Sequence, residues 1–336
     1  MNNEIAPVRV QRYIAFLSVV LFLCKMLAWY LTHSVTVLTD ALEGIVNMIA
    51  GFLGLFSITL AAIPRDTNHP YGHGKAEFLS SAVEGTLIIL SGFVIIFEAV
   101  QHLLVPHQLE RLDTGLLIIV ACGIVNFGAG KYAEKKGNKS NSSVLVSAGK
   151  HLQTDGYSTI AVVIGLMLLL ITQNKFPWLD SAVSLCFAMI IMLTGYKVLR
   201  KSLSGIMDEM DMGLLKEVIE VLQKNRRPQW VDLHNMRVIQ YGAMMHIDAH
   251  MTLPYFFTVA EADEELNSLE ELIRSHFKNQ VELFIHIDGC RPYQCKLCAM
   301  VECTVRQEPY RQQLQWNIDN LWEDSKHGKG NADETS

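Results

Sequence analysis

Long runs of apolar residues dominate the first two hundred positions of the chain, and charged residues return only after them. A helix that crosses the hydrocarbon core of a bilayer needs about 20 predominantly apolar residues. Six runs reach or approach this length, at 13–31, 44–63, 78–105, 116–130, 144–171 and 178–198. The pattern predicts six transmembrane helices, of which the fourth is the shortest. The domain that contains them is predicted to end at residue 206.

Shorter patterns follow in the last third of the chain. GLLKEVIEVLQK and FTVAEADEELNSLEELIRSHF have helical periodicity, whereas VDLHNMRVIQY, AMMHIDAHMTL and VELFIHID read as strands, the first two joined as a hairpin at Gly242. The order αββαβ predicts a small α+β domain at 207–288 with both helices on one face of a sheet. A cysteine-bearing extension at 289–323 is expected to pack back on this domain through a helix, and a polar, disordered tail is predicted at 324–336.

Lysine and arginine near the span ends predict the orientation, because cytoplasmic loops carry an excess of these residues. They cluster before the first span, between the second and third, between the fourth and fifth, and after the sixth, whereas only Arg111 and Lys175 lie on the other side. We therefore expect an integral protein of the cell or inner membrane with both termini in the cytoplasm. The first apolar run is of full length, which favours a span over a signal peptide. The basic stretch KKGNKSNSS is expected to form a flexible loop.

Ionisable residues inside the predicted spans are costly in a bilayer and mark functional sites. His151 and Asp155 are four residues apart in the fifth span and therefore share a helix face. The second span carries a matching stripe of Asp40, Glu43 and Asn47. Carboxylate, imidazole and amide ligands together suit a divalent transition metal. A solvated polar face is the alternative, and lipid disfavours it because it offers no water.

Three segments resemble signatures of the cation diffusion facilitators, which are dimeric divalent-metal/proton antiporters with six spans and a cytoplasmic, metallochaperone-like (ferredoxin-like) domain. SVTVLTDALEGIVN resembles the signature of the second span, HLQTD that of the fifth, and RDTNHPYGHGKAEFLSS the loop between the second and third. The resemblance covers residues 11–288. It implies a transport site formed by Glu43, Asn47, His151 and Asp155, and a secondary metal site in the loop formed by Asp66, His69 and His73.

One position departs from that family. Its members usually carry His or Asp at the position of Glu43 and Asp at the position of Asn47, so this chain keeps oxygen ligands there and loses one charge. The departure leaves metal selectivity and proton stoichiometry open, with Asp40 as a further candidate ligand. Zinc is the first expectation for the transported ion, and ferrous iron and manganese remain alternatives.

Histidines and aspartates recur on the predicted strands. Alternation places His246, Asp248 and His250 on one strand face, and the same rule pairs His286 with Asp288. Taken alone, such a pattern is also typical of the polar face of a half-buried sheet. The resemblance implies that His234, His250, His286 and Asp288 bind a structural or regulatory metal at a dimer interface, with Asp263 as a weaker match.

The segment CRPYQCKLCAMVEC contains Cys290, Cys295, Cys298 and Cys303. Clustered thiols in a reducing cytoplasm indicate metal rather than disulfides. The spacing of the second and third cysteines is typical of a zinc knuckle, and tetrahedral zinc accepts four thiolates. An iron–sulfur cluster and metal-free reactive thiols are the alternatives.

These observations predict a homodimeric exporter that exchanges divalent cations for protons across the lipid bilayer. A membrane-bound metal or redox sensor that retains the fold without transporting is the alternative. The chain contains neither a dinucleotide fingerprint nor a phosphate loop, so we expect no enzyme, and we expect no nucleic-acid partner. Glu84, Glu98 and Lys25 either line the transport cavity or form pairs and interfacial contacts.

Overall fold

The structure, a computed structural model, describes residues 5–32, 35–104, 114–171, 178–242, 244–277 and 281–328. The chain divides into two compact units, Met1–Met207 and Asp208–Ser336. Within the described residues the first unit consists of six long helices: α1 Ile5–Thr32, α2 Val35–Ala61, α3 Ala76–Leu104, α4 Thr114–Ser140, α5 Ser143–Ile171 and α6 Trp178–Ile206.

Each of these helices has 27 to 29 residues. Stretches of α1, α2, α3 and α6 are long and apolar enough to cross a membrane by length and composition, judged on the described residues. Helices α4 and α5 pack closely where Gly130 faces Gly149, because a Cβ atom on Gly130 would lie only 2.6 Å from the Gly149 carbonyl oxygen. Small residues permit such close approach of helices in membranes.

The basic stretch after the fourth apolar run is helical, which corrects the expectation of a flexible loop there. Helix α4 continues to Ser140, and the chain turns at Asn141, whose φ is 53°. Lysine is a good helix former, so the helix extends beyond its apolar part. The hydroxyl of Ser142 then donates a 2.6 Å hydrogen bond to Glu77 Oε2 of α3, which fixes the start of α5.

The second unit has the predicted order αββαβ. It contains α7 Met212–Lys224, β1 Asp232–Tyr241, β2 Met244–Leu253, α8 Val259–His276 and β3 Val281–Gly289. Strand β2 lies in the middle of the sheet, antiparallel to β1 and parallel to β3. One sheet face packs on both helices in a shared apolar core that includes Leu215 and Val218 of α7 and Leu269 and Ile273 of α8. The α+β prediction is confirmed.

A bulge in β1 decides which side chains share the opposite face. The register between β1 and β2 shifts between His234 and Arg237, and Asn235 has a φ of 49°. Asparagine tolerates this left-handed conformation better than most residues. The extra residue keeps Leu233 and Met236 in the core while His234 stands opposite His250 on the other face.

The extension packs back on the domain, but mostly without regular structure. Its described helices are the 3₁₀ turn Pro292–Gln294 and the short α9 Ile318–Leu321. Trp316 and Leu321 join the core of the domain, and the Arg226 guanidinium lies 3.9 Å from the centre of the Trp316 ring. The expected helix is therefore reduced to a single turn, and the packing relies on these anchoring side chains.

The tail is ordered where it begins, in contrast to the predicted disorder of 324–336. Residues 324–328 lie in the described part of the chain, and residues 329–336 lie outside it. The physical reason is electrostatic: Lys326 and His327 reach the carboxylates of Asp288 and Asp232. Polar composition alone does not reveal such pairing.

Candidate metal centres

The first candidate centre lies between α2 and α5. Asn47 Nδ2 donates a 2.6 Å hydrogen bond to Asp155 Oδ2, and Asn47 Oδ1 is 2.9 Å from His151 Nε2. The His151 side chain is buried. One amide thus connects the two polar residues of the fifth predicted span, and three of the four predicted transport-site residues converge on one place.

The hydrogen-bond roles in this trio follow from the chemistry of its groups. An ionised carboxylate only accepts, so the amide NH₂ of Asn47 faces Asp155 and the amide oxygen faces His151. The amide oxygen is also only an acceptor. With Asp155 ionised, Nε2 of His151 must therefore carry the proton of the 2.9 Å bond.

The fourth predicted residue, Glu43, belongs to α2, one turn before Asn47. Its helical position places it on the same face as Asn47. The side chains of Glu43 and Asp40 lie outside the described part of the structure.

The second candidate centre lies between α2 and α3, where Asp66, His69 and His73 form one of the two groups of ligand atoms within 4.8 Å of one another in the described residues. Asp66 Oδ1 is 3.1 Å from His69 Nδ1, and Asp66 Oδ2 is 3.6 Å from His73 Nε2. The backbone amide of His69 donates to Asp66 Oδ1 at 2.7 Å, and this bond holds the pKa of the carboxyl below its usual value. An ionised carboxylate beside two imidazoles is a suitable partial ligand set for zinc.

The third candidate centre is a row of histidines across the sheet. The strand register aligns His234, His250 and His286, one from each strand. Successive ring centres lie 5.2 and 4.8 Å apart. Asp288 Oδ2 lies 3.6 Å from His234 Nε2 and 3.2 Å from His250 Nδ1, while Asp288 Oδ1 is 3.9 Å from His286 Nε2. His234, His250 and Asp288 are the second group within 4.8 Å.

The electrostatics of this row suit metal binding. Burial lowers the pKa of His234 and outweighs the nearby carboxylates of Asp232 and Asp288, which favour the charged form. Neutral imidazole is the form that binds metals. Burial acts to raise the pKa of Asp288, but its hydrogen bonds and charge interactions with Lys326 and His250 keep the pKa below the usual value.

Other polar residues on the domain are not part of this row. His246 Nδ1 pairs with Glu282 Oε2 at 3.2 Å. Asp263 lies on α8, where its Oδ2 accepts a 3.0 Å hydrogen bond from Asn267. Asp263 does not belong to either group of converging ligand atoms in the described residues, so its weaker match gains no support.

Three residues beside the row were missed from the sequence. Asp232 is fully buried, and its carboxylate receives the backbone amide of His327 at 2.9 Å and approaches the His327 ring at 2.7 Å. Lys326 Nζ lies 3.1 Å from Asp288 Oδ1. The only sequence signal was a lysine and a histidine side by side in a tail that has little other chemistry.

The four clustered cysteines form no disulfide. Among the described residues, none of them belongs to a group of three ligand atoms within 4.8 Å. The sequence-based prediction of a thiolate site is therefore not met as a preformed ligand shell.

The fold and these clusters define a class of protein: a helical membrane protein with divalent-metal ligand sets both between its long helices and in an attached α+β domain. Comparison with known proteins then gives the family. Residues 12–207 match the cation efflux transmembrane domain, and residues 211–290 match the cytoplasmic domain of cation efflux proteins. The chain belongs to the cation efflux family, whose members are membrane transporters of cations and not enzymes.

Relatives of the chain agree with this assignment. An uncharacterized transporter of Synechocystis sp. is 30% identical over 249 residues, covering 74% of this chain and 80% of the relative. The cation-efflux pump FieF of Shewanella oneidensis is 24% identical over 272 residues, covering 81% and 90%. The manganese efflux system protein MneP of Bacillus subtilis is 24% identical over 280 residues, covering 81% and 92%. The predicted resemblance to the cation diffusion facilitators is confirmed.

Proposed function

We propose that this protein exports a divalent transition-metal ion across the membrane in exchange for protons. The transported ion binds between α2 and α5 to Glu43, Asn47, His151 and Asp155. The convergence of Asn47, His151 and Asp155 through two hydrogen bonds is the observation that carries this proposal. Buried ionisable groups at such a place have a function by default, because the membrane makes them costly.

Proton exchange follows from the same hydrogen bonds. The bond between His151 and Asn47 uses a proton on Nε2. A metal ion that binds through Nε2 takes the place of that proton, since metals bind a nitrogen lone pair. Loading of metal therefore releases a proton, and the return of a proton to the imidazole helps to expel the metal. Movement of the helices between inward-open and outward-open states completes the cycle.

The ligand set bears on which ion is carried. Glu43 and Asp155 supply two negative charges, which balance a divalent cation when His151 is neutral. An imidazole with two carboxylates and an amide oxygen suits borderline and harder ions. We propose zinc as the first candidate and retain ferrous iron and manganese, a choice supported by the manganese efflux system protein among the relatives.

The other two centres have supporting roles in this proposal. Metal at His234, His250, His286 and Asp288 stabilises a homodimer of the cytoplasmic domain and couples its state to cytoplasmic metal. The loop centre at Asp66, His69 and His73 binds a second ion near one end of α2 and α3. Both termini face the cytoplasm, which is consistent with the charge pattern of the loops.

Transport by reconstituted protein tests the proposal. His151→Ala and Asp155→Ala variants in proteoliposomes should lose zinc uptake, whereas Glu98→Gln, which changes an exposed carboxylate of α3, should transport as the wild type does. Uptake by both ligand variants at the rate of the wild type would refute the assignment of the site. Metal binding without any flux in the wild type would favour the non-transporting sensor, an alternative prompted by the Glu43–Asn47 pair and the cysteine segment.

A further inference from the structure

The cysteine segment has little in the way of a core. Between residues 290 and 312 only Gln294, Leu297 and Cys298 are buried. The single described element in this stretch is the 3₁₀ turn Pro292–Gln294. Small regions that bury so little apolar surface usually need a cross-link or a metal for a defined conformation.

The backbone around the central pair of cysteines nevertheless forms a tight turn. The amide of Cys298 donates to the carbonyl oxygens of Gln294 at 3.2 Å and Cys295 at 3.4 Å. The Arg306 guanidinium donates to the carbonyls of Cys295 at 2.8 Å and Cys298 at 3.1 Å. These bonds hold both cysteines of the two-residue-spaced pair in one turn.

Backbone amides also approach two of the sulfurs. The amide of Met300 hydrogen-bonds to Cys298, and that of Tyr255 hydrogen-bonds to Cys290. Amides directed at sulfur stabilise a thiolate. Amide contacts of this kind, two residues beyond a cysteine in a tight turn, belong to the chemistry of thiolate metal sites.

All four thiols belong to one electrostatic neighbourhood. Burial raises the pKa of Cys290, and the other three cysteines raise it further through charge repulsion. Burial likewise raises the pKa of Cys298, with smaller contributions from Cys303 and Cys295. A divalent cation among these sulfurs would remove the repulsion.

We propose that Cys290, Cys295, Cys298 and Cys303 bind one zinc-like ion as four thiolates, in a structural site separate from the transport path. The ion would cross-link a segment that the reducing cytoplasm does not allow disulfides to secure. The thiolates must move closer together when the ion binds, because no three of their sulfurs lie within 4.8 Å of one another in the described structure. The turn at Cys295–Cys298 provides the fixed half of the site, and the flanking cysteines close on it.

Cobalt substitution of the full-length protein, purified in detergent with a reductant, tests this site. Tetrahedral thiolate ligation should give intense sulfur-to-cobalt charge-transfer absorption. The double variant Cys295→Ser, Cys298→Ser should lose this absorption and about one zinc ion per chain by elemental analysis. Cys122→Ser, which changes a buried cysteine of α4, should retain both signals.

Further arms separate the alternatives. Cys303→Ser, at a partly exposed position, provides a second variant should the double variant fail to fold. The absorption should persist in the His151→Ala, Asp155→Ala protein, so failure here is distinct from failure of the transport site. Absence of thiolate-to-cobalt absorption in the wild type, an iron–sulfur spectrum, or disulfides in place of free thiols would each overturn the proposal.

Discussion

The membrane centre and the sheet centre use similar side chains in opposite surroundings. Between α2 and α5, an amide links an imidazole and a carboxylate, and the three groups satisfy one another through hydrogen bonds of 2.6 and 2.9 Å. On the sheet, three imidazoles stand in a row beside Asp288, and a lysine from the tail lies against that carboxylate. The first arrangement is built around a transferable proton, and the second around a fixed positive charge.

This difference separates the roles we propose for the two centres. A site that must release its ion in every cycle benefits from ligands that protons readily occupy. A site that holds an ion for stability benefits from neutral, pre-aligned imidazoles, and the lowered pKa of the buried His234 favours that form. Substitutions in each centre should therefore have effects of different kinds and sizes.

The largest effect is expected from Asn47→Leu. The substitution keeps a similar volume but removes the amide that bonds to both His151 and Asp155. Loss of a buried partner costs about 1–3 kcal/mol per group. We expect a lower melting temperature and more than a tenfold loss (roughly) of transport in proteoliposomes. Asn47→Asp, the matched control, should still transport, with an altered preference among zinc, iron and manganese.

A smaller and separable effect is expected from His250→Ala. The central imidazole of the row contacts both neighbouring rings and Asp288. Its removal should weaken zinc binding at the cytoplasmic domain by about tenfold or more, in line with the loss of a metal-site residue. Calorimetric titration of the full-length protein measures this. His276→Ala, an exposed histidine paired with Glu217, is the control and should bind as the wild type does.

An effect of the opposite sign is expected from Lys326→Ala. The ammonium group lies 3.1 Å from Asp288 and competes with a metal for that carboxylate. Partly exposed ion pairs contribute about 0.5–1 kcal/mol, so zinc affinity at the row should rise by about two- to fivefold. Lys224→Ala, at an exposed position in the last turn of α7, should leave the affinity unchanged. Unchanged affinity in the Lys326 variant would show that the tail does not compete with metal.

The smallest effect concerns the pH dependence of the tail. Burial alone would lower the pKa of His327, but the hydrogen bond and charge of Asp232, with further contacts, raise it above its usual value. A raised pKa in the folded state contributes stability that is fully present below about pH 6.5, the unfolded value, and is lost as the pH rises through the raised pKa.

Hydrogen exchange of the amides around residues 321–328 measures this local stability without the opposing contribution of His234. Protection in the wild type should fall as the pH rises above about 6.5, after correction for intrinsic exchange rates. His327→Gln should remove that dependence. An identical pH profile in both proteins would contradict the role of the His327–Asp232 pair.

Much of the fold could be predicted from the sequence, because hydrophobic length and periodicity carry the information. The six long helices and the order αββαβ follow from these patterns, and the spacing of His151 and Asp155 showed one half of the membrane centre. The direct bonds of Asn47 to both residues could not be predicted, since they depend on the rotation of α2 against α5. The alignment of His234 with His250 likewise depends on the bulge at Asn235.

The expectations that needed correction concerned charged segments. Helix α4 continues through its lysines because a helix can leave the membrane without ending. The start of the tail is ordered because two buried or partly buried carboxylates attract its lysine and histidine. Composition describes the average solubility of such segments, and specific partners in the fold decide their structure.

Simultaneous recording of metal and proton movement in proteoliposomes tests the central claim most directly. With a zinc indicator and a pH dye inside the vesicles, the wild type should take up zinc and release protons together, and His151→Gln should lose both signals. Zinc uptake without any proton movement in the wild type, or coupled movement of both that persists in the His151 variant, would contradict an exchange that takes place at the imidazole between α2 and α5.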